Sequence, residues 1–122
     1  MIRKVTVMIM NGQIDGTVLQ RLNEVIAGRK ANFEEGSYTC YLFSAGLDKI
    51  LKKVGEEAAE TIIAAKNGDR ENLTGEVCDL LYHLMVMMQA CELPLDNVFG
   101  ELSCRAQKIG NLKERKQVDH NS

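Results

Sequence analysis

Apolar residues recur every three or four positions through most of the chain, which is the spacing that predicts α-helices. The first stretch runs from Thr17 to about Gly28, with Thr17 and Gln20 spaced as a capping box. A short helix is predicted from Tyr38 to Ser44, ending at Gly46.

Two longer amphipathic helices follow. The first begins at Leu47 and stops at Asn67-Gly68, and Asp69 is a suitable N-cap for the second. The predicted inner faces comprise Leu47, Leu51, Val54, Ala58, Ile62 and Ala65 on the first, and Leu73, Val77, Leu80, Leu81, Leu84, Met88 and Cys91 on the second. Pro94 can open a last helix through Leu102. The pattern predicts an all-α antiparallel bundle of four to five helices.

The two ends of the chain depart from this pattern. Residues 2–10 are β-branched and apolar and resemble a short strand without a partner, so residues 1–13 are treated as an N-terminal extension. Residues 113–122 are charged and lack periodicity, which is typical of a frayed tail. The predicted domain is residues 14–112.

Composition excludes several classes of function. A chain of 122 residues fits one domain, and no apolar run is long enough to span a bilayer. The net charge of -2, with no basic stripe, argues against nucleic-acid binding. The four cysteines form no C-x-x-C pair and three lie among apolar helical residues, so we predict reduced, buried thiols in a cytoplasmic protein.

Two acidic clusters are the main candidates for chemistry: Glu56-Glu57-x-x-Glu60 and Glu76-x-x-Asp79. At about 100° per residue, both clusters are offset in the same rotational sense from the apolar face of their helix. Equal offsets fall on one side of an antiparallel hairpin, and each cluster lies about two turns from the bend. The carboxylates of Glu57, Glu60, Glu76 and Asp79 are therefore predicted to converge.

Four converging negative charges are costly unless a cation neutralises them, and carboxylate oxygens prefer Mg²⁺ or Mn²⁺. The alternative is that these acids lie on solvated helix faces and make i,i+4 pairs, such as Lys53 with Glu57. The two clusters lie on the same side of the hairpin and at the same distance from its bend, which favours a metal site over solvated helix faces.

Basic and polar groups share the same side of the hairpin. Lys49 and Lys53 precede the first cluster by two turns and one turn, where they could bind phosphate oxygens. His83, one turn after Asp79, could contact a carboxylate or a phosphate, although a lone histidine is more often structural. Glu56 is the candidate general base. The set suits metal-assisted hydrolysis of a polyphosphate.

The acidic motif resembles the signature of the MazG-like all-α NTP pyrophosphohydrolases. Within them, Glu35-Gly-Ser-Tyr-Thr39, Tyr41-Leu-Phe43, the stretch from Gly46 to Glu60, Ala64-Ala-Lys-Asn-Gly-Asp69 and Asp79-Leu-Leu-Tyr-His83 resemble the phosphoribosyl-ATP pyrophosphatase family over roughly residues 14–112. The resemblance implies Mg²⁺-dependent cleavage of phosphoribosyl-ATP to phosphoribosyl-AMP and diphosphate, the second step of histidine biosynthesis.

The resemblance also implies roles for residues. The family's metal-ligand pattern falls on Glu57, Glu60, Glu76 and Asp79, with Glu56 completing the motif, and Lys49 and Lys53 match its basic positions. Ser37-Tyr38-Thr39 matches a loop that either helps bind substrate or starts a helix. A homodimer or higher homo-oligomer is implied, in which helices build a shared bundle. The chain lacks the length and the metal-binding cysteines of a bifunctional form of this enzyme, which indicates a single enzymatic activity.

Two alternatives remain open from the sequence. A housecleaning (d)NTP pyrophosphatase of the same superfamily would keep the acidic motif and change the substrate loops, and Ser37-Tyr38-Thr39 argues against it. A non-catalytic helical dimerisation module would keep the acids without turning over any nucleotide.

Overall fold

The computed structural model of the chain describes residues 14–109, which form five helices and no strand. They are α1 (Thr17–Ala31), α2 (Tyr38–Ala45), α3 (Leu47–Asn67), α4 (Arg70–Ala90) and α5 (Leu95–Lys108). The all-α prediction is confirmed. The predicted strand at residues 2–10 and the predicted frayed tail at residues 113–122 lie outside the described residues.

The start of α1 differs from its prediction. Thr17 is not the N-cap, because Gly16 occupies that position without a side-chain hydrogen bond. The Asp15 carboxylate instead accepts from the backbone N–H of Thr17 at 3.0 Å and from its hydroxyl at 2.5 Å. These bonds lower the pKa of Asp15. The predicted capping box was wrong because a carboxylate two residues earlier is the stronger acceptor.

The turn between α3 and α4 is the one the sequence predicts. Gly68 ends α3 in the left-handed conformation, with φ 73°, and its N–H donates to the Ala65 carbonyl. The Asp69 side chain then accepts from the backbone N–H of Asn72 at 3.1 Å and caps α4. Because only these two residues separate the helices, α3 and α4 form an antiparallel hairpin.

One hydrophobic core joins all five helices. Its buried members are Ile26, Leu42, Ile50, Met85, Val86 and Leu95. The hairpin therefore does not stand alone, since α1 and α2 pack against α4 and α2 also contacts α3. This packing fixes where the start of α2 lies relative to α4.

The predicted inner face of α3 was wrong for this chain. The buried row is Ile50, Glu57 and Ala64, at intervals of seven residues, which lies about 80° round the helix from the predicted face. On α4 the buried residues are His83, Met85 and Val86.

Five of the apolar side chains left exposed belong to the predicted inner faces of α3 and α4. They are Leu47, Leu51, Ile62, Val77 and Leu81, and we call this surface the hairpin face. Periodicity locates an apolar stripe but does not say which part of it the same chain covers.

Two predictions from composition can be checked in the described helices. No helix between residues 14 and 109 combines the length and the apolarity that a membrane span requires. All four cysteines are free thiols, as predicted, but only Cys40 is buried. The prediction of burial was wrong for Cys78, Cys91 and Cys104, which lie on helix surfaces that the chain leaves uncovered.

Replacing Asp69 with Ala should lower the free energy of unfolding by about 1 kcal/mol, because the Asn72 N–H loses its partner. Asp69→Asn is the matched control and should stay within a few tenths of a kcal/mol, since asparagine caps as well as aspartate. Urea denaturation measures both. Equal losses in the two variants would contradict the capping role.

Candidate metal and phosphate site

The α3–α4 hairpin brings three acidic side chains together. One carboxylate oxygen from each of Glu57, Glu76 and Asp79 lies within 4.8 Å of the others. Glu57 is only 7% exposed. One oxygen of Glu57 and one of Glu76 are fully buried and have no hydrogen-bond partner among the described residues. Buried acceptors without donors are costly, so a positive or donating group at these two oxygens would stabilise the cluster.

Glu60 lies at the edge of this cluster. It is exposed, and its carboxyl group is within hydrogen-bonding reach of Glu76, but it does not join the three-oxygen group. The structure thus gathers three of the four predicted carboxylates tightly and places the fourth beside them.

The surroundings of Glu76 raise the pKa of its carboxyl group. Burial is the largest cause that raises the pKa of Glu76, followed by the hydrogen bond with Glu60. The negative charges of Glu60, Asp79 and Glu57 raise it further. Each of these effects disfavours the ionised carboxylate.

Thr61 ties the two helices together at the level of the acids. Its hydroxyl is 2.7 Å from the backbone carbonyl oxygen of Glu57 and 3.2 Å from that of Glu76. The sequence analysis missed this residue. A signal existed, because Thr61 lies seven residues before Gly68 and Glu76 lies seven residues after Asp69, so the two are level in the hairpin.

Lys53 pairs with both neighbouring glutamates of its own helix. Its ammonium is 3.1 Å from Glu56 and 3.7 Å from Glu57. The hydrogen bond to Glu56 raises the pKa of Lys53 and lowers the pKa of Glu56. Lys49 is close enough to lower the pKa of Glu56 further. The i,i+4 pairing of Lys53 with Glu57, which the sequence left open as an alternative to a metal site, therefore exists beside the converging acids.

Ser37 and Tyr38 begin α2 next to the hairpin. The Ser37 hydroxyl accepts from the backbone N–H of Cys40 at 3.1 Å, which is the helix-start role. The Tyr38 hydroxyl is 3.0 Å from Nε2 of His83. A substrate-binding role for Ser37, Tyr38 and His83 stays a prediction.

A second bond runs beside the first. The Thr39 hydroxyl is 2.5 Å from the Tyr82 hydroxyl. The Tyr38 ring stacks between Tyr41 and Tyr82, with ring centroids 6.0 and 6.2 Å away. Thr39 and Tyr82 both lie within the family motifs, but the sequence predicted no role for Tyr82. Two consecutive polar aromatic residues on an otherwise apolar stretch of α4 were the available signal.

A separate cavity lies outside this site. It has a volume of about 670 Å³ and is lined by residues of α1, the end of α4 and the start of α5, including Lys30, Gln89 and Glu92. It gathers none of the predicted site residues. The carboxylate cluster and Lys53 instead lie on α3 and α4.

Comparison with known proteins decides between the open alternatives. The sequence profile of the phosphoribosyl-ATP pyrophosphohydrolase family matches residues 19–106. The chain belongs to this family. The matched segment contains both acidic clusters, Lys49, Lys53 and the Tyr38–His83 contact.

Individual members of the family are similar over most of the chain. A protein named phosphoribosyl-ATP pyrophosphatase from Clostridium botulinum (strain Kyoto / Type A2) is 54% identical over 103 residues, covering 84% of this chain and 94% of the relative. One of the same name from Clostridium novyi (strain NT) is 49% identical over 104 residues, with the same coverage. The histidine biosynthesis bifunctional protein HisIE of Bacillus subtilis (strain 168) is 55% identical over 92 residues, which are 75% of this chain and 44% of that protein.

The donor set fits a small divalent cation. Three carboxylates with oxygens within 4.8 Å, two of them carrying buried oxygens without partners, are the hard ligands that Mg²⁺ and Mn²⁺ prefer. Metal binding by these residues stays a prediction.

Replacing Glu76 with Gln should stabilise the protein in a chelator at about pH 8. A raised pKa means that the folded state holds the proton more tightly than the unfolded state, so the ionised carboxylate costs stability above its folded pKa. That cost should disappear as the pH falls towards the ordinary value of 4.5. Thermal denaturation of both proteins at several pH values measures the difference.

Glu101→Gln is the matched control, because Glu101 is exposed on α5 and pairs only with the exposed Arg105 among the contacts described. Its difference from the unmutated protein should change little over the same range, from about pH 8 towards pH 4.5. A Glu76→Gln difference that is equally independent of pH would contradict the electrostatic account.

Proposed function

We propose that this chain hydrolyses phosphoribosyl-ATP to phosphoribosyl-AMP and diphosphate with Mg²⁺, or Mn²⁺ in its place, in the second step of L-histidine biosynthesis. The observation that carries the proposal is the cluster of Glu57, Glu76 and Asp79 oxygens beside Lys53, in a member of this family. A triphosphate chain needs both the cation that the acids attract and the cations that the lysines supply.

The acidic residues would hold the cation. Glu57, Glu76 and Asp79 provide the three close oxygens, and Glu60 adds a fourth carboxylate at their edge. Mg²⁺ held there supplies positive charge to phosphate oxygens and offsets the repulsion within the cluster. Thr61 keeps the two ligand-bearing helices level by bonding both of their carbonyl oxygens.

The lysines bind the phosphate groups. Lys53 is held beside the acids by Glu56 and Glu57 and keeps its charge, as its raised pKa indicates. Phosphate oxygens compete with Glu56 for this ammonium group. Lys49, one turn earlier on α3, extends the positive surface along the triphosphate.

Glu56 is the general base. In the free protein, its pairing with Lys53 lowers its pKa and keeps it ionised. When substrate phosphates take over Lys53, the carboxylate becomes more basic and accepts a proton from the attacking water. The oxygen of that water joins phosphorus, the anhydride bond breaks, and diphosphate leaves. Glu57 contributes to catalysis as a cation ligand.

A second copy of this chain covers the hairpin face. Leu47, Leu51 and Ile62 on α3 and Val77 and Leu81 on α4 are exposed in the single chain, although they form the most regular apolar stripe of the sequence. An antiparallel helical hairpin of this kind is typically completed as a bundle by a partner hairpin. We therefore propose a homodimer, or a higher homo-oligomer built from it.

We place the protein in the cytoplasm. The exposed free thiols of Cys78, Cys91 and Cys104 suit a reducing compartment, in which they stay unpaired. The formal charge of -2 supports a nucleotide-sized substrate rather than a nucleic acid.

Glu57→Gln should lower kcat/KM for phosphoribosyl-ATP by about a hundredfold or more, because it removes a buried member of the cation cluster. Diphosphate release is measured with Mg²⁺ and with a chelator, and ATP and dUTP serve as competing substrates. Glu101→Gln is the control and should keep its activity. Equal turnover of the three substrates, or an active Glu57→Gln protein, would refute the proposal.

Ile62→Asp should convert the dimer to monomer, because it places a charge on the hairpin face, where Ile62 is 64% exposed. Val25→Asp is the matched control, since Val25 is 55% exposed on α1 and lies outside that face. Sedimentation velocity over a range of concentrations measures the mass. A monomeric unmutated protein, or equal behaviour of the two variants, would rule out this interface.

A further inference from the structure

His83 is nearly buried and uses both of its ring nitrogens. The residue is 5% exposed, Nδ1 is 2.8 Å from the backbone carbonyl oxygen of Asp79, and Nε2 is 3.0 Å from the Tyr38 hydroxyl. A carbonyl oxygen only accepts, so Nδ1 carries a hydrogen and donates it. In the neutral ring Nε2 is then an acceptor, and the Tyr38 hydroxyl donates to it.

The imidazole is held in this orientation from two sides. The rings of Tyr82 and Tyr38 meet it edge-on, with centroid distances of 4.9 and 5.8 Å and interplanar angles of 82° and 78°. Tyr82 is itself bonded to Thr39. Two consecutive residues of α2 are thus joined to two consecutive residues of α4, and the first turn of α2 is fixed against the hairpin.

Tyr38 is the exposed partner in the hydrogen bond with His83. Its side chain is 46% exposed, and Lys53 is near enough to interact electrostatically with it. Because the hydroxyl hydrogen points to His83, the oxygen keeps its lone pairs for donors. Lys53 and the hydroxyl groups of a bound ribose are donors that this oxygen can accept from.

We infer that His83 is a positioning residue that does not touch the substrate: it holds the Tyr38 hydroxyl as a hydrogen-bond acceptor for a ribose hydroxyl of the substrate and for Lys53. This inference rests on the proposed function. It assigns separate tasks to Tyr38 and His83, both of which the sequence offered as candidates for substrate contact. The buried ring supplies orientation, and the half-exposed phenol makes the contact.

Tyr38→Phe removes only the hydroxyl group. One lost hydrogen bond to the substrate should raise KM for phosphoribosyl-ATP about fivefold to tenfold and change kcat less than about twofold. An unchanged KM in this variant would overturn the inference, even if every replacement of His83 failed to fold.

Two replacements of His83 separate its two contacts. In His83→Asn, the amide occupies the position of Nδ1, so the bond to the Asp79 carbonyl is kept and the partner of Tyr38 is lost. In His83→Gln, the amide reaches the position of Nε2, so an acceptor for Tyr38 is kept. We expect His83→Asn to raise KM as much as Tyr38→Phe does and His83→Gln to stay within about twofold of the unmutated protein. The reverse order would overturn the inference.

The double variant Tyr38→Phe/His83→Asn tests whether His83 acts through Tyr38. Its KM should equal that of either single variant, because both changes remove the same contact. Effects that multiply would show that His83 acts by another route and would overturn the inference. Thermal denaturation of each variant confirms folding.

Binding of Mn²⁺ without substrate, monitored by electron paramagnetic resonance, completes the test. Its dissociation constant should stay within about twofold in Tyr38→Phe and His83→Asn, and a larger rise would place the effect at Asp79 and overturn the inference. Failure of the proposed function looks different. In that case the unmutated protein itself would release no diphosphate from phosphoribosyl-ATP.

Discussion

Repulsion among the carboxylates of Glu57, Glu76 and Asp79 is the constraint on which the rest of this structure depends. Acids on the surface of separate helices repel little, because water screens them. Here a two-residue turn and a shared hydroxyl hold them within a few ångströms, and two of their oxygens are buried without donors. The turn and the Thr61 hydroxyl thus hold the acids together against their mutual repulsion.

Local sequence signals predicted the elements that need only neighbouring residues. Gly68 and Asp69 stop one helix and start the next for reasons contained in their own side chains, and both were predicted correctly. The meeting of the acidic clusters also followed from local quantities, because rotation per residue and distance from the turn fix their side and height. Asp15 shows the limit of such local predictions. Its carboxylate accepts the hydrogen bond from the Thr17 N–H at the start of α1, in place of the capping box predicted at Thr17.

Longer contacts were not predictable in the same way. Tyr38 and His83 are 45 positions apart, and only the packing of α2 against the hairpin brings them together. The pattern likewise identified the stripe that contains Leu51 and Ile62 but not that the described chain leaves it exposed, because periodicity locates an apolar stripe without saying what covers it.

The compactness of the hairpin along the sequence has a consequence for how the protein folds. Thr61 reaches the carbonyl of Glu76 across only 15 positions, so the two helices and their acids can pair before distant parts of the chain arrive. Contacts between residues that are near in sequence form quickly. The Tyr38–His83 contact between α2 and α4 closes a loop three times as long. The acidic cluster is thus expected to assemble early, before α2 packs against the hairpin.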